Sequence, residues 1–215
     1  MRVIMLNPPF LPRFSRESRS PAVTKSGTLY YPMWLAYATG VLEKEGFEVK
    51  LIDAPAKGYN IEDIKNELKA LTPRLVVIDT STPSIKNDVK VLEKIKQIDK
   101  NVFALLVGRH VSALPEETMS ISLHIDGIAI GEYDYIVRDM ALALRDNVDL
   151  SEVKGLLWRN RKAGKIVRNN PMPLIEDLDS LPFVSSVYKK HLNINDYFYG
   201  HSRYQIITMV TGRGC

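Results

Sequence analysis

The sequence predicts an α/β protein built on a doubly wound, five-stranded parallel sheet. Three observations carry this. Short apolar runs alternate with segments whose apolar residues recur every three or four positions, the rhythm of strand and crossover helix. Residues 102–107, VFALLV, are apolar without alternation, which suits a strand covered on both faces. Each run stops at proline, glycine or small polar residues, so the chain turns at every strand end.

The first strand covers residues 2–6. Asn7-Pro8-Pro9-Phe10 ends it, because proline neither donates to a ladder nor continues a helix. Residues 11–31 are polar and aperiodic, and a loop of that length in a compact domain is either functional or disordered. A helix opens at Pro32 with Leu35, Ala38 and Leu42 along one face, and Gly46 stops it. The second strand is residues 47–52, followed by the loop Asp53-Ala54-Pro55-Ala56-Lys57-Gly58. Ile61, Ile64, Leu68 and Leu71 mark the second helix, and residues 75–78 the third strand, which leads into Asp79-Thr80-Ser81-Thr82-Pro83. Ile85, Val89, Leu92 and Ile95 mark the third helix. The fourth strand, 102–107, ends at Gly108-Arg109-His110, with a short helix from about Pro115. The fifth, 127–130, ends at Gly131-Glu132-Tyr133-Asp134, and residues 136–144 form its helix. Ligands of open parallel sheets sit beyond the carboxyl ends of the strands, so these strand-end loops are where a site is expected.

Past residue 150 the rhythm changes. Residues 155–168 read as a hairpin around a glycine-containing turn, and 170–182 as a proline-rich, acidic linker. Residues 205–210 read as a new apolar strand that ends at Thr211-Gly212-Arg213-Gly214-Cys215 with no helix after it. The expected division is a main domain at 1–150, a hairpin and linker at 151–187, and the incomplete start of a further domain at 188–215.

Composition narrows the class. The chain is 45% hydrophobic and 25% charged, with a net charge of +4 that is spread rather than clustered. Only Arg13, Arg16, Arg19 and Lys25 hint at a basic stripe, which points away from nucleic acid as a partner. No apolar run approaches the roughly 18 residues of a membrane span, and Pro8-Pro9 interrupt the N-terminal run too early for a secretory signal. The single cysteine excludes an internal disulfide framework and fits a cytoplasmic protein.

Several familiar sites fail on their own chemistry. A dinucleotide or flavin phosphate loop needs glycine or hydroxyl residues after the first strand, where Pro8-Pro9 remove the N–H groups. No GxxxxGK[ST] loop is present, and no acidic pair follows the first strand to hold a magnesium ion. The loops do share small polar residues and glycines at three strand ends: Thr80-Ser81-Thr82, Gly108 and Gly131-Glu132. These suit a bulky, amide-rich ligand lying across the sheet edge.

Asn7-Pro8-Pro9, residues 42–49 (LEKEGFEV), Asp53-Ala54, Gly108-Arg109-His110, residues 113–116 (ALPE) and Gly131-Glu132 occur in an order that resembles the N-terminal cobalamin-binding domain of cobalamin-dependent radical SAM enzymes. Leu178-Asp179-Ser180-Leu181-Pro182 resembles that family's inter-domain linker. Residues 211–215 resemble the segment bearing the first cysteine of its CxxxCxxC cluster motif. The resemblance implies a flavodoxin-like, Rossmann-type fold that binds cobalamin through Asn7, Pro8, Pro9, Asp53, Thr80, Ser81, Thr82, Gly108, Arg109, His110, Gly131, Glu132 and Tyr133. It implies a longer parent containing a radical SAM domain in cis, S-adenosylmethionine and a [4Fe–4S] cluster, with Cys215 as a cluster ligand only there. The parent's expected reaction is methyl transfer by way of methylcobalamin, with ring-forming or oxidative chemistry as the alternative. The chain itself is expected to bind cofactor without turnover. A non-catalytic sensor or interaction module that has lost cobalamin is a further alternative.

The sequence departs from the DxHxxG pattern of other cobalamin domains. Pro55 stands where the histidine would, so no protein histidine from this loop is expected on cobalt. Gly108-Arg109 replaces the family's Gly-Gly. His110 is open to two readings, cobalt ligand or hydrogen-bonding loop residue, and the second is preferred. Glu132 suits a helix N-terminus or an acceptor for the nucleotide tail, and Asp53 a turn former or a cofactor contact. Tyr30, Tyr31 and Trp34 suit an aromatic core cluster better than a cover for the corrin.

Overall fold

The computed structural model describes residues 1–18, 20–203 and 205–213. Gly214 and Cys215, the expected cluster ligand, lie outside the described residues. Five parallel strands, β1 (Arg2–Asn7), β2 (Glu48–Asp53), β3 (Leu75–Thr80), β4 (Phe103–Gly108) and β5 (Gly127–Ala129), form the expected sheet in the order β2-β1-β3-β4-β5. Alternate residues of each strand serve opposite faces, as the pleat requires. Val3, Met5, Leu75, Val77, Leu105 and Val107 pack on one side beneath α1 (Met33–Lys44) and α7 (Asp134–Asp146). Ile4, Leu6, Val76, Ile78, Ala104 and Leu106 pack on the other beneath α3 (Ile61–Leu71) and α4 (Ile85–Ile98). The α3 helix starts where Asn60 and Asp63 close a capping box.

Four expectations are corrected. The sheet has seven strands, because the hairpin β6 (Leu156–Asn160) and β7 (Lys165–Arg168) adds antiparallel to β5 and continues the sheet. The three residues of β5 would otherwise leave an open edge, and Leu156 and Leu157 become buried by covering it. Residues 53–58 form no open loop: α2 (Ala54–Lys57) is one helical turn, with the Asp53 side chain accepting from the Ala56 N–H. The short helix α5 (Arg109–Ala113) begins directly after Gly108, before α6 (Pro115–Ile121). Residues 205–210 make no strand. Strand geometry is held by a ladder, and here no sheet neighbour is present among the described residues. Instead the Tyr31, Tyr188 and Tyr37 hydroxyls donate to the carbonyls of Ile206, Thr208 and Val210 at 2.9, 3.2 and 3.3 Å.

The part beyond residue 150 shares the main core. Helix α8 (Val184–His191) buries Val184, Val187 and Tyr188 with α1. Tyr31 stacks between Tyr188 and Tyr197, with centroids 4.3 and 3.8 Å away, so Tyr31 belongs to an aromatic core cluster as expected.

Candidate functional site

The ends of β3, β4 and β5 converge on a cavity of about 540 Å³. Its floor is Asp79, Thr80, Ser81 and Thr82 after β3 and Gly108, Arg109 and Ser112 after β4. Gly131, Glu132, Tyr133 and Asp134 after β5 complete that side. Arg16, Glu17 and Pro21 from the long N-terminal loop, Trp34 from α1, and Arg213 close the rest. Gly108 is required where it stands. At φ 110° a Cβ would meet the Thr80 carbonyl oxygen at 2.5 Å and Asp79 Oδ1 at 2.7 Å, so β4 can approach β3 this closely only without a side chain. Gly131 is the opposite case: at φ 91° a Cβ there meets nothing within 4 Å, so this rim stays open. Ser112 stitches the two loops, donating to the Gly108 carbonyl at 2.9 Å and accepting from the Gly131 N–H at 3.0 Å.

Eight of the thirteen expected cofactor residues line this cavity: Thr80, Ser81, Thr82, Gly108, Arg109, Gly131, Glu132 and Tyr133. The other five are placed elsewhere. Asn7 and Asp53 are buried in a polar chain, with Asn7 Nδ2 donating to Asp53 Oδ1 at 2.8 Å and the Tyr197 hydroxyl to Asp53 Oδ2 at 2.8 Å. Pro8 offers its carbonyl to Arg16 Nη1 at 2.9 Å. Pro9 lines a separate cavity of about 380 Å³ beside Ala54 and Pro55. His110 lies on the first turn of α5, its Nδ1 3.3 Å from Thr82 Oγ1.

Sequence reasoning missed Arg16, Glu17, Asp79 and Arg213 as cavity residues. Arg16, one of the four cations of the hinted basic stripe, is only 4% exposed. It donates to Asn7 Oδ1 at 2.6 Å and forms an ion pair with Asp88 at 2.6 Å. Asp88 also accepts from Ser84 at 2.6 Å, and Ser84 lies 2.7 Å from Ser81, so the long loop is tied to the cavity floor from below. In the sequence, the loop's length is the one sign that it could reach a site.

Carboxylates held out of water lie on this lining and behind it. Burial pushes Asp79 up to about 7, against the pull of the Arg16 guanidinium, while neighbouring Asp88 adds to the rise. Glu17 is raised well above the ordinary carboxylate range, first by burial and then by Asp79. Burial raises Asp53 to about 6, opposed by its bonds from Tyr197, Ala56 and Asn7. Two buried donors on the lining side chains, Arg16 Nε and the Tyr133 hydroxyl, have no partner among the described residues. An open rim, a glycine-tight floor and unmet donors fit an acceptor-rich ligand such as an amide-bearing macrocycle with a nucleotide tail. Among the described residues no cluster of three or more His, Cys, Asp or Glu is placed to hold a metal ion, and no helix is long and apolar enough to cross a membrane.

A family model described as the B12 binding domain matches residues 19–141, which contain the lining loops of β3, β4 and β5. An uncharacterised methyltransferase, PH0819, of Pyrococcus horikoshii is 30% identical over 185 residues, covering 86% of this chain and 38% of that protein. The anaerobic magnesium-protoporphyrin IX monomethyl ester cyclase of Rubrivivax gelatinosus is 26% identical, over 70% of this chain and 28% of its own length. In fold, the chain is similar to the cobalamin-dependent S-adenosylmethionine radical enzyme OxsB, solved with aqua-cobalamin and S-adenosylmethionine bound. The TM-score is 0.66 at 18% identity, across 80% of this chain and 22% of that one. The chain thus spans well under half the length of these relatives.

Proposed function

Because the chain belongs to the B12-binding domain family, we propose that its strand-end cavity holds cobalamin as the cofactor module of a larger radical SAM enzyme, most simply a methyltransferase. The observation that carries this reading is the coincidence of the family match with the cavity over β3, β4 and β5. Bound there, cobalamin supplies a centre able to carry a methyl group. The chain's own residues bind and orient it. Thr80, Ser81 and Gly108 give the backbone-close floor, Thr82 offers an exposed hydroxyl beside it, and Gly131 and Glu132 border the open rim. The Ser84–Asp88–Arg16 network keeps the loop that forms the far wall in place. S-adenosylmethionine and a [4Fe–4S] cluster belong to the rest of that enzyme, with Cys215 as one cluster ligand. The similarity to a cyclase as well as a methyltransferase supports ring-forming chemistry as the second reading.

Anaerobic titration of the 215-residue chain with hydroxocobalamin, followed by visible and EPR spectra of the reduced Co(II) form, tests the proposal. Stoichiometric uptake without nitrogen splitting from an axial ligand is expected, with the cofactor's own base displaced from cobalt and His110, outside the cavity lining, also off it. Failure to take up any cobalamin would sink it.

A further inference from the structure

Arg213 is the one long cation that reaches the cavity from the far end of the described chain. The segment leading to it is attached lightly, through tyrosine hydroxyls on alternate carbonyls, and Ile207 and Met209 remain 50% and 58% exposed. Arg213 itself is held firmly. Its Nη1 and Nη2 form a fork on the Asp134 carboxylate at 2.6 and 3.2 Å, at the first residue of α7, and Glu132 lies 3.5 Å away. The guanidinium also lies over Trp34 and Tyr37, 5.0 and 5.1 Å from the ring centroids. Its side chain is 7% exposed, so the pair works out of water, where a planar fork is hard to replace.

Its position is as informative as its bonds. Arg213 lines the strand-end cavity and also a second cavity of about 390 Å³ between Tyr37, Leu181, Pro182 and Met209. One side chain thus forms the partition between the two spaces. Three of its four partners, Trp34, Glu132 and Asp134, are themselves on the lining of the first cavity. Opening the 205–213 segment would therefore remove a wall of the site rather than a distant strand.

We propose that Arg213 is a positioning residue that latches the 205–213 segment onto the cavity as its movable wall, and so sets how long the bound cofactor stays. This rests on the cobalamin reading above. A latch acts on escape more than on entry, so the predicted effect lies in the dissociation rate.

The test uses the 215-residue chain loaded with radiolabelled cyanocobalamin and chased with an excess of unlabelled cyanocobalamin. Arg213→Ala is expected to speed release by at least about tenfold, with Arg213→Lys intermediate because it keeps the charge but loses the fork. Asp134→Asn, which retains side-chain volume, should reproduce the faster release. Hydrogen exchange at residues 206–212 should rise in the same variants, while the unloaded chain still unfolds cooperatively in urea. Release within about twofold of wild type in both Arg213→Ala and Asp134→Asn would overturn the latch and leave the cofactor reading intact. A wild-type chain that retains no label would instead overturn the cofactor reading, and the latch with it.

Discussion

Replacing Arg16 by methionine tests the strongest internal constraint on the site. The Arg16 and Asp88 side chains are 1% and 0% exposed and 2.6 Å apart. Methionine keeps most of the volume but leaves the Asp88 carboxylate buried without its counter-charge. Breaking such a pair costs about 3–5 kcal/mol, because the survivor keeps its desolvation penalty. For a chain of this size that corresponds to a fall in Tm of roughly 6–20 °C. The loss should depend on pH. Burial raises the Asp88 pKa and Arg16 opposes the rise. Without Arg16 the folded chain holds a proton that the unfolded chain gives up, so stability falls as pH rises through that window. The deficit should accordingly be smaller near about pH 5 than near about pH 8. Asp88→Asn in the same background removes the stranded charge and should restore part of the loss, giving a coupling of about 1–3 kcal/mol in a double-mutant cycle. Urea unfolding at the two pH values measures all of this. A single variant within about 1 kcal/mol of wild type, or a double variant no better than the single, would refute the idea that this pair anchors the loop.

Three further outcomes follow from the same geometry. Burial raises Asp79 to about 7, so the folded chain is favoured below the unfolded pKa of about 4, and this contribution is lost as pH rises towards 7. Asp79→Asn should flatten the stability–pH curve across that interval, and an unchanged slope in urea titrations would exclude Asp79 as its source. Gly108→Ala places a Cβ 2.5 Å from the Thr80 carbonyl oxygen at φ 110°. It should cost more than about 2 kcal/mol in thermal unfolding and abolish cobalamin uptake. An unchanged Tm would mean that the β3–β4 approach is looser than described. Gly40→Ala in α1 would ordinarily stabilise a helix by about 0.5–1 kcal/mol. Here the new Cβ meets Pro182 Cγ at 2.5 Å and Val187 Cγ2 at 3.0 Å, so calorimetry should show a net loss of about 1–3 kcal/mol.

The parts of the molecule legible in the sequence are those set by local periodicity. Ile64 and Leu68, or Val89, Leu92 and Ile95, are spaced for one helix face, and the structure buries them there. Unalternating strands likewise gave away a sheet covered on both sides, and Val102 through Val107 are, save Phe103, fully enclosed. Periodicity says nothing about what joins an open edge. The hairpin is legible in Gly155 through Arg168, but its place beside β5 is fixed by pairing across some thirty residues, Gly127 with Trp158 and Ala129 with Leu156, which periodicity does not encode. A strand at 205–210 was expected from composition alone, and composition supplies no partner for the ladder.

The same division explains the site. Loops that directly follow strands were found, because in a parallel sheet their position is fixed by the strand itself. Side chains that reach the cavity from a distance were not. Arg16 meets Asp88 across 72 residues, Tyr197 meets Asp53 across 144, and Arg213 meets Asp134 across 79. In sequence each of these looks like a solvated charge or an ordinary aromatic. Arg16 and Arg213, held by Asp88 and Asp134, wall the cavity, Tyr197 and Asp53 pack outside its lining, and the strand-end loops alone would form only an open ledge. Residues 11–31 and 205–213 are each anchored to that enclosure by an arginine neutralised by a carboxylate belonging to the core domain. Enclosure of the site therefore depends on ion pairs made by two remote segments, and it should weaken in the variants of Arg16 and Arg213 by separate routes: the first by stranding a buried charge beneath the loop of the far wall, the second by opening the opposite wall over an intact floor.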